Sequence, residues 1–146
     1  MRLLFITILS IFFTITGCSS TGSSQQTNTA TNIVLQVDAT QVEHVSITSL
    51  HDSFLNQNQT TELEGVIVEV TGRVVAFEMT NNQLYIVTIQ EDEDDAICVF
   101  DASIADQIGH GRVIEHGATL TVRGQCYASG LFSSTPFTLD GCQIVQ

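Results

Sequence analysis

The chain is 146 residues long, 43% hydrophobic and 7% aromatic, with one Pro and no Trp, a size that fills one domain and excludes a multidomain enzyme. Sixteen Asp and Glu stand against four basic residues, all Arg, for a net charge of −12. So acidic a balance opposes the counterion release that draws proteins to phosphate backbones, and the composition predicts no nucleic-acid partner.

Residues 1–18, MRLLFITILSIFFTITGC, place one Arg ahead of a predominantly apolar run from Leu3 to Phe13, followed by small and polar residues ending in Gly17-Cys18. That is the pattern of a signal peptide over 1–17, too short for a comfortable membrane span and without a stop-transfer flank. The tetrad Ile15-Thr16-Gly17-Cys18 resembles the lipobox of bacterial lipoproteins. The resemblance implies cleavage after Gly17, a thioether to diacylglycerol on Cys18, and anchoring to a membrane through two or three acyl chains. Ser19, where an Asp would retain the protein at the inner membrane, resembles outer-membrane sorting in enteric bacteria. The expected location is therefore the cell envelope, at the outer membrane facing the periplasm. Loss of Arg2 with the signal leaves three Arg against 16 acids, a net −13.

Cys18 and residues 19–32, SSTGSSQQTNTATN, hold no charge and no large apolar side chain, so they read as a flexible tether. A chain of that length reaches roughly 20 Å. Residues 33–64 form an N-terminal segment in which Ile47, Leu50, Phe54 and Leu55 share a helical face. Ser49, with Asp52 three residues on, makes a cap-like start, and an amphipathic helix is expected over about 48–57.

The remainder, 65–146, alternates as strands. From Gly65, the valines Val66, Val68 and Val70 face one side while Glu69, Thr71 and Arg73 face the other. After Gly72 the phase slips, so that Val75, Phe77 and Met79 share a parity, which predicts a bulge bending one long strand. Thr80-Asn81-Asn82 turns into a second strand, LYIVTIQ. The acidic run Glu91 to Asp95 separates it from a third, AICVF, and 101–111 carries a brief helix with Ile104 and Ile108. ATLTVRGQC and FTLDGCQIV complete the set, with a phase shift at Asp140-Gly141.

Three strands, a short helix and two more strands is the order of a mainly β OB-fold, a small five-stranded Greek-key barrel with a short helix between strands three and four. An open five-stranded α+β sheet is the alternative. With its N-terminal helix, VEVTGRV, ICVF, GATLTVRGQC and LDGCQIV, the region 45–146 resembles the bacterial OB-fold group called tRNA_anti-like. That resemblance implies a secreted, often lipid-anchored binding domain without established enzymatic activity.

Four His, namely His44, His51, His110 and His116, are the available bases, and no nucleophile elbow, zinc-protease or P-loop motif accompanies them. No catalysis and no cofactor are expected. The expected function is a membrane-anchored adaptor that engages an envelope protein, peptide or glycan through the outer face of strands two and three, with Tyr85, Arg73 and Arg123 as binding-face candidates. The alternative is a small-ligand or Ca²⁺ binder using Glu91, Asp92, Glu93, Asp94 and Asp95, although the run lacks the alternating ligands and Gly of a calcium loop. With Cys18 lipidated, Cys98, Cys126 and Cys142 remain. Strand order allows Cys142 to meet either Cys126 or Cys98. The tRNA_anti-like resemblance, in which the G-x-C and final cysteines recur together, implies Cys126–Cys142, with Cys98 as the competing partner.

Overall fold

A computed structural model describes residues 24–56, 60–102, 104, 114–130 and 133–145. Its elements are α1 (Ser24–Gln36), a 3-10 turn at Ala39–Gln41, β1 (Glu43–His44), α2 (Ile47–Leu55), α3 (Thr60–Leu63), β2 (Ile67–Met79), β3 (Tyr85–Glu91), β4 (Asp94–Phe100), β5 (Thr119–Ala128) and β6 (Phe137–Val145).

The barrel closes around β2. Its first half pairs antiparallel with β5, from Ile67 opposite Gln125 to Arg73 opposite Thr119. Its second half pairs with β3, from Arg73 opposite Gln90 to Met79 opposite Tyr85, with an irregularity between Val74 and Ala76. That irregularity is the bulge expected from the slip in phase, and it lets one 13-residue strand serve two neighbours. β3 pairs with β4, β4 runs parallel to β6, and β6 returns antiparallel to β5. The ring β2-β3-β4-β6-β5 is that of an OB-fold. Val68, Val70, Val74, Val87, Ile89, Cys98, Val122, Cys126 and Leu139 fill its interior.

At the end of the barrel where β4 and β6 begin, α2 buries Ile47, Leu50 and Phe54, and the Phe54 and Phe137 rings stack at 5.6 Å. Gly72 permits the close approach: a Cβ there would lie 2.9 Å from Ile47 Cδ1 and 3.1 Å from the Gln90 carbonyl. The cap is Ser46, not Ser49. The Ser46 hydroxyl accepts from the Ser49 N–H at 3.1 Å, and the Glu91 carboxylate accepts from the Ile47 N–H at 2.6 Å. Leu55, expected on the buried face, is 60% exposed.

Residues 24–32, expected to be part of a flexible tether, are helical. Helix α1 takes up residues 24–32 of that stretch and packs on β6, burying Ala30, Thr31 and Val34. Composition was misleading because contact here is made by small side chains and bare backbone. Gly141, at φ 62°, is the bulge of β6, and a Cβ on it would overlap the Ala30–Thr31 backbone. Two further differences are local. Glu43 and His44 add a short parallel strand beside Val68 and Glu69, and the acidic run is no separate loop, since Glu91 and Asp94 pair across a two-residue turn. Of the helix expected over 101–111, residues 103 and 105–113 lie outside the described residues, while Ile104 is helical and fully buried. Residues 1–23, with the signal and Cys18, also lie outside them.

Candidate binding site at the Phe77–Tyr85 surface

Beyond its bulge, β2 continues with Phe77 opposite Val87 and Met79 opposite Tyr85, all on the face that points inward. Val87 is fully buried, yet Phe77 is 43% and Met79 65% exposed, because the strands here run past the core. The Phe77 and Tyr85 rings stack with centroids 5.9 Å apart and planes 25° from parallel. Tyr85 in turn lies opposite Phe100, which is fully buried and forms the floor. The result is an apolar, half-exposed aromatic surface at the end of the barrel opposite α2.

A turn of five uncharged residues, Thr80 to Leu84, borders this surface. The Thr80 N–H donates to the Leu84 carbonyl at 2.8 Å and the Gln83 N–H to the Thr80 carbonyl at 3.1 Å, while Gln83 adopts φ 61°. Asn81, Asn82 and Gln83 are exposed, so amide donors and acceptors stand beside a π-face in a protein that is acidic elsewhere.

The three expected binding-face residues do not share one surface. Arg73 is exposed on the outer side of the barrel, and Arg123 lies on that same side beyond a Thr71–Thr121 hydroxyl pair at 2.8 Å. Arg123 is committed elsewhere: its guanidinium donates to Glu69, which is 5% exposed and also meets His44 Nδ1 at 3.0 Å. Tyr85 faces the other way, at the end of the barrel opposite α2. Phe77 and Met79 were missed by sequence reasoning, although their parity after the phase slip was legible. They lie beyond the last pairing of β2 with β5, Arg73 opposite Thr119, which no local pattern records.

The acidic run is dispersed by strand alternation. Glu91 accepts from Ile47, Asp95 from Gln90 Nε2 at 3.0 Å, and Asp94 lies 3.4 Å from His51 Nδ1, while Asp92 and Glu93 form the exposed turn. No three His, Cys, Asp or Glu of the described residues converge as a metal-binding set. Cys98, Cys126 and Cys142 are buried free thiols, so the expected Cys126–Cys142 bridge is not formed. Desolvation pushes the Cys126 thiol up to about 12 and Cys142 well above its ordinary value. His116 is exposed, and His110 lies outside the described residues.

No protein-family model matches the chain, and no curated protein sequence does. Among solved structures, the chain is similar to a lipoprotein of Klebsiella pneumoniae described as a candidate nucleic acid binder, with 18% identity and a TM-score of 0.60 over 76% of this chain and 100% of that one. It is also similar to an Entamoeba histolytica asparaginyl-tRNA synthetase, with 12% identity and a TM-score of 0.49 over 71% of this chain and 23% of the synthetase. A yeast Stn1 and Ten1 structure matches with 12% identity and a TM-score of 0.46, over 80% and 70% of the two chains.

The likeness to the Klebsiella lipoprotein corrects the expected partners, a protein, peptide or glycan with nucleic acid excluded. A net charge weighs only the phosphate term, averaged over the molecule. It does not describe an uncharged aromatic rim, and the barrel is one that the Klebsiella lipoprotein, described as a candidate nucleic acid binder, shares over its whole length.

Proposed function

We propose that the chain is a lipid-anchored OB-fold binding module that receives unpaired bases of a single-stranded nucleic acid on the Phe77–Tyr85 surface. One observation carries the reading: a stacked aromatic pair, half-exposed at the end of the barrel opposite α2 and bordered by the uncharged amides of Asn81, Asn82 and Gln83. Stacking on an aromatic face tolerates any base, because every base has a π-face. With so acidic a chain, the phosphates contribute little attraction, so binding is modest and its salt dependence shallow. The likeness to a lipoprotein described as a candidate nucleic acid binder supports both halves of the reading. The anchor is Cys18, in the lipobox-like tetrad, which keeps the barrel at the envelope, and the tRNA_anti-like group remains the family we favour. No catalytic step is assigned: His44 and His51 are engaged with Glu69 and Asp94.

Fluorescence anisotropy with a labelled mixed-sequence oligonucleotide tests the ligand. Saturable binding of the single strand, absence of binding to the matching duplex, and binding weakened by about tenfold or more in Phe77→Ala are expected. A duplex bound equally well, or no saturation at any protein concentration reached, overturns the proposal. Metabolic labelling with palmitate tests the anchor, which Cys18→Ser must abolish. Label retained in that variant overturns it.

A further inference from the structure

Three thiols occupy one layer of the barrel interior. Leu139 on β6 is the Cα partner of Cys98 on β4 and also of Cys126 on β5, so the two cysteines flank it from either side. Three residues further on, the bulge at Gly141 turns Cys142 back over the same layer, where its Sγ donates to the Leu139 carbonyl at 3.1 Å. Gly124 leaves the room: a Cβ there would lie 2.8 Å from Cys142 Sγ. From this position the Cys142 thiol lies against the Cys98 thiol and the Val99 N–H, both on β4.

We infer that Cys98 and Cys142 are a redox-convertible pair, which a disulfide donor joins into a staple between β4 and β6. The step exchanges one disulfide for another. Two thiols give up two protons and two electrons as the Cys98–Cys142 bond forms, and the donor, a low-molecular-weight disulfide, is cleaved to two thiols. The place matters because β4 and β6 are joined by a parallel register of two residue pairs, Ile97 with Thr138 and Cys98 with Leu139, against seven pairs between β3 and β4. A covalent link would hold the shortest seam of the barrel. Cys126 remains as the third thiol, buried and protonated.

Burial makes the reaction slow, since the thiols meet a donor only when the barrel opens, so the test is an equilibrium one. The full-length chain carrying Cys18→Ser is held in reduced and oxidised glutathione until its thiol count stops changing. It is then trapped with maleimide in denaturant and mapped without reduction. The expected result is one remaining reactive thiol, at Cys126, a Cys98–Cys142 peptide, and a higher urea midpoint than the reduced form. A Cys126–Cys142 or Cys98–Cys126 peptide, glutathione on separate cysteines, or three unmodified thiols in excess oxidised glutathione overturns the assignment.

Discussion

Arg123 holds the carboxylate of Glu69 directly across the β2–β5 ladder, its Nε 2.8 Å from Oε1, and the two are 17% and 5% exposed. On the other side of Glu69, His44 reaches Oε2 from β1. A carboxylate on the outer side of a barrel strand is thereby buried between two basic side chains, and the short strand β1 is clasped to the barrel through it.

Removing one partner of such a pair leaves a charge without compensation in a desolvated place, which costs more than the intact pair contributes. Arg123→Ala is expected to lower stability by about 3 kcal/mol, whereas His44→Ala, at a side chain 72% exposed, should cost under about 1 kcal/mol. Urea denaturation of the two variants decides this. Equal effects would show that Glu69 is held as much by His44 as by Arg123.

Glu91 belongs to helix α2 rather than to an acidic site. Hydrogen bonds to charged groups contribute about 1.5–3 kcal/mol, so Glu91→Ala should cost about 2 kcal/mol in thermal unfolding. Glu93→Ala, in the exposed turn, should stay within about 0.5 kcal/mol of the parent. A larger loss at Glu93 than at Glu91 would contradict the role assigned to Glu91 from its 2.6 Å bond to Ile47.

Gly141→Ala combines a left-handed backbone with overlap against α1. The expected loss is about 2 kcal/mol. It should be accompanied by faster amide exchange across Ala30–Gln36, because the helix is displaced before the barrel opens. Unchanged exchange in α1 would mean that the bulge, and not the helix, absorbs the methyl group.

Asp140, next to that glycine, has its carboxyl pushed up by burial. A raised pKa means that the folded state binds the proton more tightly than the unfolded state, so stability falls as pH rises through the folded-state value. Asp140→Asn is therefore expected to be more stable than the parent at neutral pH, with the advantage shrinking as the pH drops and gone below the ordinary carboxylate value of 3.8. Melting curves from acid to neutral pH read the difference. An advantage that grows on acidification reverses the sign and refutes the burial argument.

Phe77 and Tyr85 set the magnitude expected for binding. Base stacking on an aromatic side chain is worth about 1–3 kcal/mol, so Phe77→Ala should weaken a single-stranded oligonucleotide by about tenfold or more. Phe77→Trp should preserve binding. Arg73→Ala, on the outer face, should leave the affinity within about threefold, the residual effect of one exposed charge.

Strand identity was legible in the sequence because period-two alternation records which side chains must be buried: Val68, Val70 and Val74, then Val122, Cys126, Phe137 and Leu139, all lie inside. Both irregularities were legible too, since a bulge must shift the phase, and the slips after Gly72 and at Asp140-Gly141 coincide with those at Val74/Ala76 and Arg123/Gln125. What tertiary structure alone decided was adjacency between distant segments. Composition gave α1 no reason to be a helix, because its partner is a side-chain-free point on β6. The run of five acids looked like one site, but Glu91 serves α2, Asp94 faces His51 and Asp95 meets Gln90. Likewise Phe77 and Met79 carry the parity of core residues but are exposed, in the half of β2 that lies beyond its last pairing with β5 at Arg73 and Thr119. Periodicity states which face a side chain takes. How far the core extends along that face is fixed by the lengths and registers of strands elsewhere in the chain.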